Sequence, residues 1–498
     1  MRIPPAAPPL WPTMINLKII YKVLGSLLIL ESILFLICFC LGLGYGERDF
    51  EMFGVPTVLS LLVGLLFKGQ GRHGTNRMSR RDGYLCVSLA WVIFSLAGML
   101  PFIIGGYEPR IAAAFFESMS GFTTTGATAL VNIDSLPHSL LFWRSLMHWF
   151  GGMGIVFFTI AILPSMGTGD LKLFSAEATG LKLDRLHPRI STTARWIWGL
   201  YLFITVACGA AYYLGGMNVF DAVNHAFSTV ATGGFSTHQN SFAYFNSPRL
   251  ELIASVFMFL AGVNFTLLYL LLIKGRFKSV FRDGEFRCYV FILVAATVLV
   301  AGSLVVARGY DVWNALQQSF FNVTSLQSST GLTSNNTMMW PHFAWIILIM
   351  LTAFGSCAGS TSGGIKCIRV LTCYKLFVNE FRHILHPNAV IPLRLNQTTV
   401  TASVSHTVFA FFIAYVFLLL VGMVLFVIMG FPMLDAFCIS MSSLSNTGPA
   451  FGYAVGPLDS WAAMPDAALW LSSFLMLAGR LEIFSILLPF APAFWRDN

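Results

Sequence analysis

Four short polar segments recur in an otherwise apolar chain, and each contains a threonine followed by a glycine. Glycine adopts positive φ angles that other residues avoid and lets consecutive backbone carbonyls point toward one axis, while threonine adds a hydroxyl group without a charge. Four such segments around one axis would offer oxygen ligands in place of the hydration shell of a monovalent cation. The segments therefore predict a filter that conducts cations. The pairs are Thr125-Gly126, Thr232-Gly233, Thr330-Gly331 and Thr447-Gly448.

The spacing of these segments is the main argument for this interpretation. A single cluster of Ser, Thr and Gly is equally well explained by an ordinary loop at the end of a membrane helix. The four copies, however, stand roughly one hundred residues apart between apolar runs, which indicates an internal repeat. Irregular backbone at membrane depth is tolerated only where protein buries it or where it lines a water-filled cavity. We therefore interpret each copy as a span, a short pore helix, a Thr-Gly turn and a second span.

Composition assigns the chain to the all-α integral membrane proteins. Hydrophobic residues make up 56% of its 498 residues and charged residues only 10%, which excludes a soluble globular protein. We predict an N-terminal pair of transmembrane helices in residues 1–81, followed by repeats in residues 82–190, 191–285, 286–395 and 396–498. The predicted spans are Ile15–Gly42, Phe53–Phe67, Tyr84–Gly105, Leu140–Leu163, Arg195–Leu214, Leu250–Ile273, Cys288–Ala307, His342–Tyr374 with an interruption, His406–Met429 and Ala467–Phe490.

Lysine and arginine cluster in alternate loops, and this asymmetry predicts the orientation. By the positive-inside rule, the basic loops and both termini are cytoplasmic, and the Thr-Gly segments enter the membrane from outside. The basic stretches are Lys68–Arg81, Lys172–Arg195, Lys274–Arg287 and Lys366–Arg394, whereas the intervening loops hold only Arg48, Arg110, Arg144, Arg249 and Arg308.

The span that begins near His342 is broken by the sequence GSCAGSTSGGIK, residues Gly355–Lys366. Glycine and serine interrupt a helix and free its carbonyls. This composition predicts a flexible polar segment at mid-membrane depth, just cytoplasmic of the filter. We interpret it as a steric gate; the alternative is a kink that serves packing, but a kink needs one or two glycines rather than a run.

Arg480 lies within the last apolar span, where a charged side chain costs about 2.5–3.5 kcal/mol on insertion scales. It therefore needs a buried partner, and Glu482 is on a different face of the helix. The free carbonyls or hydroxyls of Gly355–Lys366 would serve. We predict that Arg480 holds this segment in the pore; the alternative is a structural arginine that pairs elsewhere.

The chain resembles a known family on these residues. The four Thr-Gly segments, WFGGMGIVFF, FSTVATGGFSTH, GSCAGSTSGGIK and the ending GRLEIFSILLPFAPAFW are similar to the TrkH/TrkG membrane subunits of bacterial Trk potassium uptake systems, in the wider Trk/Ktr/HKT superfamily. The resemblance implies four repeats around one pseudo-fourfold pore in the bacterial inner membrane. It also implies a homodimer and a cytoplasmic, nucleotide-binding regulatory subunit of the TrkA type.

The resemblance also implies roles for individual residues. The transported potassium ion would be bound at the four Thr-Gly pairs, and Gly126 is similar to the potassium-preferring type of first filter position. No organic cofactor is expected in this chain. The expected gating residues are Gly355, Gly359, Ser360, Gly363, Gly364 and Arg480.

Two other functions compete with a passive potassium pore. A potassium symporter coupled to protons or sodium would use an intramembrane group such as Glu31, Glu482, His148 or His225. A membrane-embedded enzyme would need catalytic or metal-binding motifs, but the sequence contains no HExxH, GxSxG or P-loop. We therefore predict a non-enzyme whose surroundings are membrane lipid and protein partners, without nucleic acid.

Overall fold

The structure, a computed structural model, describes residues 15–72, 78–162, 190–389, 391–396 and 398–495. Almost all secondary structure in these ranges is helical, apart from a two-residue antiparallel pairing of β1 (Arg394–Leu395) with β2 (Thr398–Thr399). In the predicted basic loops, Arg77, Lys172, Lys182, Arg185 and Arg189 lie outside the described residues.

The helices are α1 (Leu17–Gly44), α2 (Phe50–Gln70), α3 (Arg80–Gly98), α4 (Leu100–Ile104), α5 (Ile111–Phe122), α6 (His138–Ile162), α7 (Ile190–Gly215), α8 (Val219–Val230), α9 (Pro248–Gly262), α10 (Phe265–Leu272), α11 (Phe277–Phe281), α12 (Gly284–Arg308), α13 (Val312–Gln327), α14 (His342–Phe354), α15 (Cys367–Leu385), α16 (Ala402–Ile428), α17 (Met433–Ser445), α18 (Asp466–Arg480), α19 (Phe484–Leu487) and α20 (Pro492–Trp495).

Six spans in the described part of the chain are long and apolar enough to cross a membrane, namely α1, α2, α3 with α4, α7, α12 and α16. Several begin where a side chain accepts a hydrogen bond from a first-turn N–H group. Asn16 caps α1, Asp283 caps α12, and Ser79 with Asp82 forms a capping box on α3. These six helices correspond to six of the predicted spans.

The N-terminal helices α1 and α2 pack against each other with almost no space between their backbones. A Cβ atom on Gly25 would lie 2.6 Å from the carbonyl oxygen of Gly64. Small residues of this kind let membrane helices approach closely. Both helices stand before the first Thr-Gly segment in the chain.

Two further predicted spans are not single helices, because each consists of two helices joined by a sharp bend. The stretch Leu250–Ile273 forms α9 and α10, which meet at 109°, and the stretch Ala467–Phe490 bends by 116° after Arg480. At the second bend, Glu482 and Ile483 have positive φ angles of 54° and 60°. Arg480 is consequently the last residue of α18 and not a mid-helix residue.

Four short helices, α5, α8, α13 and α17, stand directly before the four Thr-Gly segments. Their residues are largely buried, and in chain order each lies between two other helices. The flanking helices are α3 and α6, α7 and α9, α12 and α14, and α16 and α18. The short helices therefore carry the polar segments into the interior of the molecule.

Candidate ion-conduction site

The four polar segments leave their short helices in the same way. In each, a backbone N–H donates to the carbonyl of a serine five residues earlier, so the helix closes with a wide turn. These bonds run from Thr125 to Ser120 at 2.9 Å, Gly233 to Ser228 at 2.8 Å, Thr330 to Ser325 at 2.8 Å, and Thr447 to Ser442 at 3.1 Å. The residue just before each N–H donor has a φ angle near 55°. These residues are Thr124, Thr232, Ser329 and Asn446.

This common turn corrects the predicted register of the second segment by one residue. The sequence alignment matched Thr232-Gly233 with Thr125-Gly126. In the structure, Gly233 is equivalent to Thr125, and Gly234 is equivalent to Gly126, because Gly234 has the positive φ of 90°. The second segment contains two consecutive glycines, and a Thr-Gly pattern alone selects the wrong one.

The four segments form a closed ring. A Cβ atom on each equivalent glycine would collide with the carbonyl oxygen of the next segment, so only glycine fits there. The distances would be 2.0 Å from Gly126 to Gly233, 2.0 Å from Gly234 to Thr330, 2.0 Å from Gly331 to Thr447 and 2.4 Å from Gly448 to Thr125. Each segment therefore touches the next in chain order, and the last touches the first.

Hydroxyl pairs support three of the four segments. Thr125 Oγ1 lies 2.8 Å from Thr123 Oγ1, and the same pairing joins Thr330 to Ser328 at 2.6 Å and Thr447 to Ser445 at 2.9 Å. These threonine side chains therefore bond within their own turns.

His148 occupies the corresponding space in the second segment. A Cβ atom on Gly233 would lie 2.1 Å from Nδ1 of His148. The imidazole ring stacks on Phe235 with a 4.1 Å distance between ring centres, and its Nδ1 is 3.3 Å from Ser228 Oγ. The ring thus explains why this position is glycine while its three equivalents are threonine.

A cavity of about 60 Å³ opens above the ring, on the side predicted to be external. Its lining includes the four equivalent glycines and Asp459. A site needs only about 10–15 Å³ of such volume to hold a water molecule. The cavity is therefore large enough for a partly hydrated small cation at the mouth of the ring.

A buried ion pair braces the first two segments, and it corrects the prediction that Arg144 lies in an external loop. Arg144 belongs to α6, is 1% exposed, and its Nε donates to Glu117 Oε1 at 2.8 Å. Glu117 also accepts from the N–H of Ala129, while Arg144 donates to the carbonyl of Ser236 at 3.0 Å. Sequence reasoning overlooked this pair, although charged groups inside membrane segments are costly and are a usable signal.

The segment Gly355–Lys366 lies on the opposite side of the ring. The N–H of Gly363 donates to Ser329 Oγ at 2.6 Å, and a Cβ atom on Gly363 would be 2.1 Å from the carbonyl oxygen of Ser445. Gly355, Gly359 and Gly364 have positive φ angles of 64°, 72° and 75°, and Ser360 Oγ donates to the carbonyl of Cys357 at 2.6 Å. The segment is thus packed directly against the turns that carry the ring.

Arg480 contacts this segment through its guanidinium group. The side chain is 3% exposed, and its two terminal nitrogens donate to the carbonyls of Thr361 at 2.9 Å and Gly151 at 2.7 Å. Glu482 is not its partner, because that carboxylate pairs with Arg369. Arg480 consequently links the Gly355–Lys366 segment to α6.

The groups named as candidates for ion coupling are dispersed. Glu31 is fully buried beside Gly98 of α3, and neither of its carboxylate oxygens has a hydrogen-bond partner among the described residues. Glu482 is paired with Arg369, while His148 contacts Ser228 and His225 contacts Ser236. The structure does not bring these four groups together.

Helices of membrane-spanning length around a ring of backbone carbonyls define a multi-pass membrane protein of the ion-transport class. Comparison with known sequences narrows this class. The model of the family described as "TrkH: Cation transport protein" matches residues 53–497. The chain therefore belongs to the TrkH family, and the resemblance in its sequence is confirmed.

Individual relatives match along almost the whole chain. The Trk system potassium uptake protein TrkH of Escherichia coli strain K12 is 38% identical over 488 residues, which cover 97% of this chain and 100% of the relative. TrkG of the same strain is 33% identical over 490 residues, covering 97% of this chain and 99% of that relative. The crystal structure of the potassium transporter TrkH from Vibrio parahaemolyticus matches with a TM-score of 0.87 and 35% identity, covering 96% of this chain and 99% of that one.

Proposed function

We propose that this protein takes up potassium across a bacterial inner membrane through the ring of four polar segments. The observation that carries the proposal is the cyclic contact between equivalent glycines and the carbonyl oxygens of the next segment. Backbone carbonyls replace the hydration shell of a monovalent cation without introducing a charge that would trap it. The relatives are named potassium uptake proteins, which favours potassium as the transported ion.

The binding residues in this proposal follow the observed register. Potassium would be coordinated by the turns that contain Thr125-Gly126, Thr330-Gly331 and Thr447-Gly448, and by Thr232, Gly233 and Gly234 in the second segment. The threonine hydroxyls bond to neighbouring hydroxyls. The carbonyl oxygens are therefore the main ligands.

The gate in this proposal is the segment Gly355–Lys366, which obstructs the path below the ring. Its glycines Gly355, Gly359, Gly363 and Gly364 and Ser360 allow the tight backbone, and Arg480 holds it in place. Removing a buried charged donor frees the carbonyl of Thr361. Arg480→Ala is therefore expected to raise potassium leak through the purified protein severalfold, and an unchanged leak would contradict the role of Arg480.

The partners in this proposal are a second copy of the chain and a cytoplasmic nucleotide-binding subunit of the TrkA type. Relatives named as parts of a Trk system support a separate regulatory subunit. This subunit would dock on the basic loops, such as Lys274–Arg287, and control the gate. The transported potassium ion is the only ligand that the proposal assigns to this chain.

Symport with protons or sodium is the second candidate function. The observation that favours it is Glu31, a fully buried carboxylate in α1 without a hydrogen-bond partner among the described residues. A carboxyl group in such a place is expensive and is often functional in membrane proteins. It would bind the coupling ion.

A reversal-potential measurement on purified protein in liposomes tests both functions. A potassium gradient is applied, sodium is added on one side, and the pH is then stepped on one side. We expect the potential to follow potassium alone. A potential that shifts with the pH step would favour proton symport, and one that follows sodium equally well would refute a potassium-selective ring.

A further inference from the structure

The break between α9 and α10 faces the segment Gly355–Lys366. An interrupted helix leaves carbonyls at the end of its first half and N–H groups at the start of its second half without intrahelical partners. Lipid cannot satisfy these groups, so protein or water must do so. The segment supplies partners for this break, which sequence analysis did not predict.

Three hydrogen bonds join the break to residues 357–359. The carbonyl of Gly262 accepts from the N–H of Cys357 at 3.1 Å, and the N–H of Phe265 donates to the carbonyl of Gly359 at 3.1 Å. Between them, the side-chain amide of Asn264 donates to the carbonyl of Ala358 at 2.7 Å. The two interrupted stretches therefore pair with each other.

The side chain of Asn264 forms hydrogen bonds both to the start of α10 and to the segment Gly355–Lys366. Its Oδ1 accepts from the N–H of Thr266 at 2.8 Å, which caps α10, while its Nδ2 donates to Ala358. The amide matches its surroundings in only one orientation, because one neighbour is a donor and the other an acceptor. Gly359 packs against this amide: a Cβ atom there would lie 3.0 Å from Nδ2.

Glu285 binds the N–H of the same residue, Ala358. It belongs to the first turn of α12, is 6% exposed, and its Oε1 accepts from the N–H of Ala358 at 2.5 Å. A carboxyl group offers an acceptor oxygen to this N–H in either protonation state. Side chains from other elements therefore bind both the N–H and the carbonyl of Ala358.

We propose that Asn264 and Glu285 are positioning residues that clasp Ala358 and keep the gating segment beneath the ring. The inference rests on the proposed function of Gly355–Lys366 as a gate. Long polar side chains then hold the segment at Ala358, through the clasp, and at Thr361, through Arg480, in addition to the hydrogen bonds of Cys357, Gly359 and Gly363 described above. Displacement of the segment breaks the clasp and leaves the amide of Asn264 unpaired, so the clasp favours the closed gate.

The principal variant is Asn264→Ser. Serine is a good N-cap and keeps an oxygen for the start of α10, but its side chain is too short to reach Ala358. Loss of one buried hydrogen bond is expected to raise potassium leak about two- to tenfold in liposomes without a partner subunit. Glu285→Gln keeps the shape and an acceptor oxygen for the N–H of Ala358, so we expect a smaller increase.

Asn336→Ser is the matched control. Asn336 also caps a short helical turn, by accepting from the N–H of Met338 at 3.1 Å, but it is exposed and lies outside the clasp. We expect the potassium leak through Asn336→Ser to equal the leak through the unmodified chain.

Maleimide labelling of Cys357 gives a second readout that reports the position of the segment. Cys357 is fully buried next to Ala358, and Cys438 of α17 is buried away from the clasp. The full chain is labelled in liposomes, and peptide mass spectrometry then measures the labelled fraction of each of the two cysteines. We expect Asn264→Ser to increase labelling of Cys357 and not of Cys438, whereas general destabilisation would increase both and overturn the specific role.

The outcomes separate this inference from the proposed function. If the unmodified chain conducts potassium and Arg480→Ala leaks, but Asn264→Ser and Glu285→Gln change neither leak nor Cys357 labelling, the clasp is refuted and the pore stands. If the unmodified chain passes no potassium, the proposed function fails. Labelling of Cys357 would still decide whether the clasp holds the segment.

Discussion

At the scale of single residues, Gly234 and Gly430 show two different reasons why a position requires glycine. Their φ angles are 90° and 96°, so both positions are strained for any other residue. Their surroundings differ: a Cβ atom on Gly234 would lie 2.0 Å from the carbonyl of Thr330, whereas nothing lies within 4 Å of one on Gly430. Only Gly234 is also required by contact with the next segment of the ring.

Gly234→Ala is therefore expected to abolish potassium flux, because the methyl group must push two ring segments apart. Gly430→Ala serves as the control, with a stability cost of about 1–2 kcal/mol from backbone strain and flux retained. Liposome flux and thermal unfolding are measured for both. Normal flux in Gly234→Ala would contradict the closed ring.

At the scale of elements, His238 links α8 to the loop that follows the first ring segment. Its Nδ1 lies 2.7 Å from Asp134 Oδ1 and its Nε2 lies 3.3 Å from Asp221 Oδ2. Burial lowers the pKa of His238, but the hydrogen bonds and charges of the two carboxylates outweigh it, so the pKa lies above its ordinary value. The imidazolium form donates to both carboxylates at once. His225 is the other titratable ring beside Asp221.

This bridge makes stability depend on pH. A raised folded-state pKa contributes stability that is complete below the unfolded value of about 6.5 and is lost as pH rises through the folded value. We expect the unfolding temperature to fall between pH 6 and pH 9 by more in the unmodified protein than in His238→Gln. Equal slopes in thermal unfolding of the two purified proteins would show that the bridge contributes nothing.

The sequence predicts elements whose cause is local. Runs of apolar residues predict the spans, and the glycine-rich stretch predicts the interruption that begins at Gly355. Sequence patterns do not predict features that depend on contacts with residues far away in the chain. The bend before Asn264 depends on pairing with Ala358, some ninety residues later, and α9 and α10 together are as apolar as a continuous span.

The site shows the same division between local and distant causes. The recurrence of Thr-Gly locates all four segments, but the register of the second depends on His148, which belongs to α6 and replaces a threonine side chain. Arg144 was counted with the loop arginines, although it lies inside the predicted span Leu140–Leu163. Its partner Glu117 is revealed only by tertiary packing.

At the scale of the whole molecule, the N-terminal helix α1 packs against α3 and α6 but supplies no residue to the ring. Glu31 lies in α1, where its carboxylate faces the position of Gly98 in α3 and none of the ring segments. A coupling ion bound there would have to act on the ring through the helices that pack against α1, which include α3 and α6. Passive flow through the ring requires no such connection.

Glu31→Gln is accordingly expected to leave potassium flux and its indifference to a pH step unchanged, because the amide keeps the size and shape of the carboxyl group. Flux in liposomes with and without a pH gradient is the measurement. Loss of pH-driven uptake in this variant would instead establish symport.

His148 fills the side-chain space beside Gly233 in the second segment only, and this difference between segments affects how the ring can evolve. Four identical subunits around a pore must accept every substitution four times, so each change in their filter is large. Here one chain supplies all four quarters, and one quarter already differs from the other three at Gly233. In the proposed pore, a substitution in one segment would therefore change one quarter of the ring and leave the other three quarters as they are.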